Sequence, residues 1–304
     1  MYSNETIKEV TRTDFDKAFQ KALFSRILSR IKGQNNTLLS FHEVMKYVKV
    51  KNEAYRGLQC VKINEIVGSE GRYNDFNKEF LPKRRNLRQR WERVDEAHYQ
   101  EKILPPIKLY KLGGVYFVRD GNHRVSVSKE QRREFIDAEV IEIKTDIVIQ
   151  PDMTREDLLQ IVIEHENKAF LEITRLDELR DVSDLHFSFP GRFDDILSHI
   201  HGHQYYLGID SGKQITFNEA MLSWYDNLFM PIINEIKSEN LLTRFPGRTE
   251  SDLYVWIIRH WDDLKKKYGE DIQIKDAVKS YNKKFGQNPV VLAFQKIKSI
   301  FIRG

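Results

Sequence analysis

Residues 115–128 constrain the fold of this chain more than any other stretch. They open with Val115-Tyr-Phe-Val118, an apolar run of β-branched and aromatic residues that is typical of a short buried strand. Asp120-Gly121 breaks this run, and a helical pattern begins at Asn122. The stretch therefore predicts a strand, a glycine turn and a helix N-terminus in direct succession.

A strand, a turn and a helix start in this order can hold an anion, because the turn amides and the positive end of the helix dipole point at one place. Arg124 and His123 would add donors suited to phosphate oxygens. Asp120 stands where a carboxylate would ligate a metal ion or orient a nucleophile. The alternative interpretation is a plain turn, in which Asn122 acts only as the helix N-cap.

Length and composition are those of a globular protein with room for two domains. The chain has 304 residues, of which 40% are hydrophobic and 31% charged. Its net charge is +4, from 49 basic and 45 acidic residues, so any basic surface for nucleic acid must be local. The chain has neither an apolar signal core at its N-terminus nor an apolar run long enough for a membrane span. We therefore expect a cytoplasmic protein without a transmembrane segment.

The sequence contains one cysteine, Cys60. A single cysteine excludes an intramolecular disulfide and a cysteine-based zinc cage. Cys60 lies in the apolar run 57–61, so we expect a buried and unreactive thiol.

The N-terminal residues predict two helices that pack on the domain after them. An apolar stripe at helical spacing follows Thr13 and ends near Gly33. Ser40 is placed to cap a shorter helix through Val48. The stripe consists of Phe15, Ala18, Phe19, Ala22, Leu23, Ile27 and Ile31.

A glycine-flanked loop is a second candidate site. It follows a predicted strand over residues 55–63 and reads Gly68-Ser-Glu-Gly-Arg72. Its glycines allow close approach to another backbone. It carries a carboxylate, Glu70, and a guanidinium group, Arg72. The alternative is an ordinary surface turn.

The most basic segment, residues 83–93, has six arginine or lysine residues and a tryptophan. On a helix, Leu87, Trp91 and Val94 share one face and the cations cover the rest. Such a helix would bind nucleic-acid phosphates or an acidic protein partner, and the alternative is a solvated face anchored by Trp91. The candidate nucleic-acid ligands are Lys83, Arg84, Arg85, Arg88 and Arg90.

Three motifs together resemble the ParB/sulfiredoxin-like family. They are Leu104-Pro-Pro-Ile107, Tyr116-Phe-Val-Arg-Asp-Gly-Asn-His-Arg-Val125 and Ile136-Asp-Ala-Glu-Val140. In that family a proline-led strand, a glycine-containing turn and a closing strand surround a nucleotide, and residues 68–72 lie where the family places its first box. The resemblance covers roughly residues 55–145.

The resemblance implies an α+β fold in three parts. Residues 53–148 would form a small mixed sheet with helices that binds a nucleotide. Residues 1–52 would be N-terminal helices, and residues 149–304 a mainly helical domain. The helical part also resembles uncharacterised bacterial proteins, which adds no activity.

Members of the family use the pocket differently. Sulfiredoxins carry a reactive cysteine two positions before the arginine of the turn, where this chain has Asn122, so their chemistry lacks its nucleophile here. ParB partition proteins hold a CTP triphosphate and continue into a helix-turn-helix domain, which residues 151–304 do not resemble. Free-serine kinases have a similar Asp-Gly-His-His-Arg turn on the nucleotide phosphates and use a glutamate of the earlier box as base.

By this resemblance, the chain would bind the phosphates of ATP, ADP or CTP, with Mg²⁺ on Asp120. Glu70, Asp120 and His123 would be catalytic if phosphate is hydrolysed or transferred. Whether the protein is an enzyme and whether it forms a homodimer are left open. The phosphate ligands would be Gly68, Ser69, Arg72, Gly121, Asn122, His123 and Arg124.

The alternative function is a non-catalytic regulator that binds DNA through the basic segment 83–93. A nuclease is a third alternative, and it would need a third acidic metal ligand beside Asp120 and Glu70.

The C-terminal half is predicted to be helical, beginning with a helix from Thr154 to about Arg180. Phe189-Pro-Gly-Arg192 recurs as Phe245-Pro-Gly-Arg248. Because the flanking residues do not align, we interpret the repeat as two independent uses of a helix-start loop rather than a duplicated unit. A basic amphipathic tail over residues 295–303 would pack on the protein or touch a membrane or partner.

Three histidines at alternate positions are a weaker candidate site. Zinc-binding histidines on a helix are typically four residues apart, whereas His199, His201 and His203 alternate. The spacing favours a helix end passing into a strand, and a zinc site is the less favoured interpretation.

Overall fold

A computed structural model describes residues 3–33, 35–269 and 271–286. The chain divides between Leu158 and Leu159 into two compact units. The first unit contains a mixed six-stranded sheet and the second is built from helices, so the predicted α+β class is confirmed. No helix in the described part of the chain has the length and apolarity needed to cross a membrane.

The first unit is built around its sheet, whose strands are β1 (Leu39–Ser40), β2 (Asn52–Lys62), β3 (Ile66–Ser69), β4 (Ile107–Leu112), β5 (Val115–Asp120) and β6 (Phe135–Lys144). They lie in the order β1-β3-β5-β4-β6-β2. β5 pairs parallel with β3 and antiparallel with β4, so both predicted site loops leave neighbouring strands. Gly113 and Gly114 form a two-residue hairpin turn between β4 and β5, with φ of 61° and 97°.

The helices of the first unit are α1 (Asn4–Lys32), α2 (Phe41–Met45), α3 (Arg88–Tyr99) and α4 (Asn122–Glu130). Ser40 caps α2 as predicted, although this helix ends at Met45 and not at Val48. α1 ends at the predicted place, before Gly33, which has the left-handed conformation. The predicted stripe of α1 is buried only in its first half, whereas Ile27 and Ile31 are exposed. α1 has 29 residues and its packing partner α3 has 12, so the last turns of α1 extend past that partner.

Trp91 fixes the basic segment to the core. Its side chain is fully buried, and its Nε1 donates to Ser126 Oγ at 2.8 Å. The segment is less helical than predicted: α3 begins at Arg88, after a 3₁₀ turn over Arg85–Leu87. Lys83 and Arg84 therefore precede the helix.

The thiol of Cys60 is exposed, so the expectation of a buried cysteine is wrong. β2 lies at the edge of the sheet, and side chains alternate along a strand. Val61 points into the core and Cys60 points away from it. The apolar run around Cys60 does not reveal which face its side chain occupies.

The second unit contains most of α5 (Arg155–Thr174), whose first turn precedes the division. Its other helices are α6 (Arg192–Ser211), α7 (Phe217–Trp224), α8 (Met230–Ser238), α9 (Glu250–Tyr268) and α10 (Ile274–Phe285). A π-helical segment, Tyr225–Phe229, joins α7 to α8. At the centre of the core, the buried Trp224 Nε1 donates to Tyr254 Oη at 2.8 Å. The predicted tail over residues 295–303 lies outside the described residues.

The predicted strand near the three histidines is wrong, because α6 runs through all of them. Phe193, Ile196 and Ile200 are its buried residues, and their spacing is helical. His203 Nε2 lies 3.0 Å from Ser223 Oγ on α7. Among the described residues, no group of three His, Cys, Asp or Glu side chains is placed to hold a metal ion.

The two Phe-Pro-Gly-Arg loops begin matching helical hairpins, so interpreting them as independent loops is wrong. α6–α7 follows the first loop and α9–α10 the second. The long helices end at corresponding glycines, Gly212 and Gly269. One extra residue after the second loop, Thr249, shifts the alignment and hides it from direct inspection.

Side-chain contacts repeat in the two hairpins. His203 Nε2 lies 3.0 Å from Ser223 Oγ, and His260 Nε2 lies 3.0 Å from Ser280 Oγ, each across 20 positions of sequence. Gln204 donates to the Ile215 carbonyl at 2.8 Å and Trp261 to the Ile272 carbonyl at 2.7 Å, each across 11 positions. Equal spacings in both contacts indicate a duplicated helical hairpin.

Candidate functional site

The turn between β5 and α4 requires glycine at its apex. Gly121 has a φ of 110°, which a residue with a side chain rarely adopts. A Cβ at this position would lie 2.8 Å from Ile107 Cβ, so space also excludes one. No side chain caps α4, and the amides of its first turn have no acceptor within the helix. The N-cap is Gly121, not Asn122.

This turn borders a cleft of about 600 Å³, which we call the phosphate cleft. Four arginines from four parts of the first unit line it: Arg72 after β3, Arg90 on α3, Arg119 on β5 and Arg124 on α4. Asp120 is the acidic residue among the lining residues. A concave surface with this excess of guanidinium groups attracts polyanions.

Arg124 stabilises the wall of the phosphate cleft that contains Pro105. Its Nη2 donates to Asp120 Oδ2 at 2.6 Å, and its Nη1 donates to the carbonyls of Pro105 and Pro106, the latter at 3.0 Å. The side chain is only 14% exposed. Three of its five N–H donors are therefore engaged with the protein, and only the remainder face a ligand.

Asn122 and His123 are almost completely buried beneath the phosphate cleft, with exposures of 7% and 5%. Asn122 Oδ1 and His123 Nδ1 have no hydrogen-bond partner in the part of the chain that the structure describes. The His123 ring packs edge-on against Phe76, with centroids 5.4 Å apart. Burial, reinforced by the charges of Arg90 and Arg72, lowers the pKa of His123 to about 4, so it is neutral at pH 7.

The glycine-flanked loop contributes its last two residues to the phosphate cleft. Gly71 and Arg72 line it, and Arg72 also donates to Asp75 Oδ2 at 3.1 Å. Ser69 belongs to β3; its Oγ donates to the Val118 carbonyl at 3.2 Å and accepts from the Arg72 amide at 3.3 Å. Ser69 therefore closes the loop, and it does not line the phosphate cleft.

Gly68 serves the packing of the sheet. A Cβ on Gly68 would lie 2.5 Å from Phe117 Cδ1 on the neighbouring strand. The predicted close approach thus occurs between strands, and Gly68 is not among the residues that line the phosphate cleft.

Glu70 lies beside the hydroxyl of Tyr110. Burial raises the pKa of the Tyr110 hydroxyl, and the adjacent Glu70 carboxylate, which hydrogen-bonds it, raises that pKa further. Glu70 does not line the phosphate cleft, whereas Asp120 and His123 do.

The cations of residues 83–93 mostly bind other parts of the first unit. Arg88 pairs with Asp16 and Glu92 and lies 4.7 Å above the Phe15 ring. Arg84 pairs with Asp75, and Arg85 lies over Phe19. Burial lowers the pKa of Lys83. Of the five predicted nucleic-acid ligands, Arg90 is the one that lines the phosphate cleft.

Two of the arginines would have been hard to identify from sequence. Arg119 directly precedes the turn, and because neighbouring side chains of a strand point to opposite faces, its place beside Asp120 is not evident from the sequence. Arg90 was assigned to a nucleic-acid surface. Its place in the phosphate cleft depends on how α3 packs beside α4.

The protein residues of the phosphate cleft could hold Mg²⁺ only if a bound phosphate compound supplied further oxygen ligands. Asp120 offers one carboxylate, which Arg124 already contacts. Mg²⁺ commonly takes one or two protein carboxylates and completes its six oxygens from phosphates and water. This set of donors fits Mg²⁺ delivered with a nucleotide and does not fit a resident metal centre.

No protein-family model and no curated protein matches this chain. A solved structure described as "Structure of the pNOB8-like ParB N-domain" is similar over 74% of this chain and 82% of its own length. The two are 11% identical, and the TM-score is 0.21. At that score the ParB resemblance rests on the sequence motifs, and the match carries no argument about function.

Proposed function

We propose that this protein binds a nucleoside di- or triphosphate with its phosphates in the phosphate cleft. The observation that supports the proposal is the convergence of Arg72, Arg90, Arg119 and Arg124 on the uncapped start of α4. Helix N-termini and guanidinium groups are both well suited to bind phosphate, and here they border one cavity.

The charge balance favours a polyphosphate over a single carboxylate or phosphate. Four guanidinium groups line the phosphate cleft, and two of them are already paired, Arg124 with Asp120 and Arg72 with Asp75. Arg90 and Arg119 remain, so a ligand with one negative charge would leave part of the positive charge unbalanced. Two or three linked phosphates spread several charges over the surface and can reach arginines on opposite walls.

Each residue then has a distinct role in binding. The first-turn amides of α4 would hold one phosphate, and Arg90 and Arg119, both exposed, would close on the others. Arg124 would position the wall, with its remaining donors toward the ligand. Asp120 would share Mg²⁺ with the phosphate oxygens.

Hydrolysis or transfer of phosphate is the further step of this proposal, and it needs a proton acceptor in the phosphate cleft. His123 lines the phosphate cleft and Glu70 does not, so His123, whose ring is neutral at pH 7, is the candidate acceptor. Release of inorganic phosphate from ATP or CTP, absent from His123→Gln, would support catalysis by His123.

Calorimetric titration with ATP, ADP, CTP and inorganic tripolyphosphate, with and without Mg²⁺, tests the binding function. Binding of at least one nucleotide and of tripolyphosphate is expected. Absence of binding at millimolar concentrations of every ligand would overturn the proposal.

A further inference from the structure

A second cavity, which we call the side cavity, lies directly behind one wall of the phosphate cleft. It measures about 440 Å³. It shares Leu104, Pro105 and Arg124 with the phosphate cleft. Its far side is formed by the exposed thiol of Cys60 on β2 and by the start of β6.

The two cavities share a wall, and the side chain of Arg124 holds it in place. Residues 102–106 form neither helix nor strand. Arg124 binds the carbonyls of Pro105 and Pro106 on this segment while it contacts Asp120 at the turn. The same guanidinium thus borders both cavities, so a ligand that reaches past it would occupy both.

The side cavity differs from the phosphate cleft in charge. Apart from Arg124, its lining has two cations, Lys102 and Arg133, and two carboxylates, Glu101 and Asp137. These charges balance, so the side cavity does not select an anion. A lining that offers both donors and acceptors suits an uncharged group with both kinds of hydrogen-bonding edge.

The side cavity also has an apolar floor. Phe135 is 43% exposed and Ile103 is 99% exposed, although both are large hydrophobic side chains. Ile136 and Pro106 continue this surface. An accessible aromatic ring surrounded by a few polar groups is typical of sites for planar heterocycles.

We propose that the side cavity receives the nucleoside of the ligand whose phosphates lie in the phosphate cleft. The inference rests on the proposed function, because it assigns the other end of the same molecule. Phe135 stacks on the base, and Asp137 and Arg133 bind its polar edge. A nucleotide has the required composition: a polyanionic end joined to an uncharged, planar, hydrogen-bonding end.

The single cysteine of the chain provides a direct probe, because Cys60 is exposed and lines the side cavity. The rate of Cys60 modification by an aromatic disulfide reagent would be measured on the full chain, alone and with saturating ATP, CTP or tripolyphosphate. A bound nucleoside should slow modification about tenfold or more by covering the thiol, as expected when accessibility limits reactivity. Tripolyphosphate should leave the rate unchanged, because it occupies the phosphate cleft alone.

The outcomes separate this inference from the proposed function. Equal protection by tripolyphosphate, or no protection by a nucleotide that calorimetry shows to bind, overturns the nucleoside assignment and leaves phosphate binding intact. Absence of binding by every ligand in calorimetry overturns both.

A pair of variants provides a second readout. Phe135→Ala should weaken nucleotide affinity about tenfold, the usual effect of losing one stacked base, and leave tripolyphosphate affinity unchanged. Tyr55→Ala is the control, since Tyr55 is an exposed aromatic on β2 that does not line the side cavity. Equal loss of both ligands in Phe135→Ala, or equal effects of the two variants on nucleotide affinity, would overturn the assignment.

Discussion

Arg124 and Asp120 bind each other across the start of α4, with Nη2 and Oδ2 2.6 Å apart. The sequence resemblance assigned one of them to phosphate and the other to Mg²⁺. In the structure each is the other's partner, and Arg124 also holds the segment 104–106 through two carbonyls. Ligand binding at the turn must therefore compete with, or share, this ion pair.

Replacing Asp120 with asparagine should separate its two effects. The variant removes a negative charge from the phosphate cleft, so affinity for a nucleotide without Mg²⁺ should rise several-fold. It also removes the carboxylate that would share Mg²⁺, so the metal should no longer strengthen binding. Titrations in EDTA and in Mg²⁺ measure both effects. If the Mg²⁺ dependence is the same as in the wild type, Asp120 is not a metal ligand.

Stability should fall in mild acid because His98 and His123 are kept neutral by their surroundings. Burial, with nearby arginines, lowers the pKa of each to about 4, from an ordinary value of 6.5. Unfolded chains therefore bind more protons between pH 6.5 and 4, and the stability present above pH 6.5 is lost as pH falls through that window.

The buried carboxyl of Asp95 has the opposite effect on the pH dependence of stability. The measurement is therefore made in a variant that lacks this carboxyl. Burial raises the pKa of Asp95 to about 7, so its folded form binds the extra proton in the same window. Urea unfolding of Asp95→Asn from pH 7 to 4 should therefore show a steeper loss of stability than the wild type. A flat profile in Asp95→Asn would mean that the two histidines are not held neutral.

The duplicated hairpins should respond alike to loss of their matching hydrogen bonds. Ser223→Ala and Ser280→Ala each leave a histidine Nε2 without its partner, at a cost of about 1 kcal/mol in the free energy of unfolding. The two losses should add, because the bonds are in separate hairpins. Chemical unfolding of both single variants and the double variant measures this. A large effect in one hairpin and none in the other would show that the contacts are not equivalent.

If the protein instead binds DNA through residues 83–93, its affinity for DNA should fall steeply with salt and should depend on the arginines of that segment. Arg88 and Arg84 are already paired with carboxylates of the first unit, so we expect little DNA binding and no change on Arg88→Ala. Gel shifts over a range of salt concentrations test this. Affinity that falls steeply with salt and is lost in Arg88→Ala would favour the regulator over the nucleotide-binding protein.

Patterns of neighbouring residues predicted the secondary structure of the site. Which side chains meet there depends on contacts between residues that are distant in the sequence. The apolar run and the glycine of residues 115–128 were sufficient for β5, the turn and α4, because each depends on neighbouring residues. The meeting of Arg72, Arg90 and Arg119 depends on parallel pairing of β3 with β5 and on the packing of α3, which periodicity does not specify.

The wrong predictions also concern features that neighbouring residues do not determine. Cys60 is exposed because its strand is at the sheet edge, a position that its apolar neighbours do not encode. The histidines of α6 alternate by coincidence on a helix whose buried residues are elsewhere. The duplication was hidden by one inserted residue, whereas the paired His–Ser contacts reveal it.

The central claim is that the arginines of the phosphate cleft bind phosphate, and three variants test it most directly. Calorimetry with the best-binding nucleotide would compare Arg90→Ala and Arg119→Ala, which line the phosphate cleft, with Arg93→Ala, an exposed arginine of α3 that does not. Each cleft variant should lose about 1.5–3 kcal/mol of binding free energy, the value of a charge-assisted contact, and Arg93→Ala should bind like the wild type. Unchanged affinity in both cleft variants, or an equal loss in all three, would contradict the account.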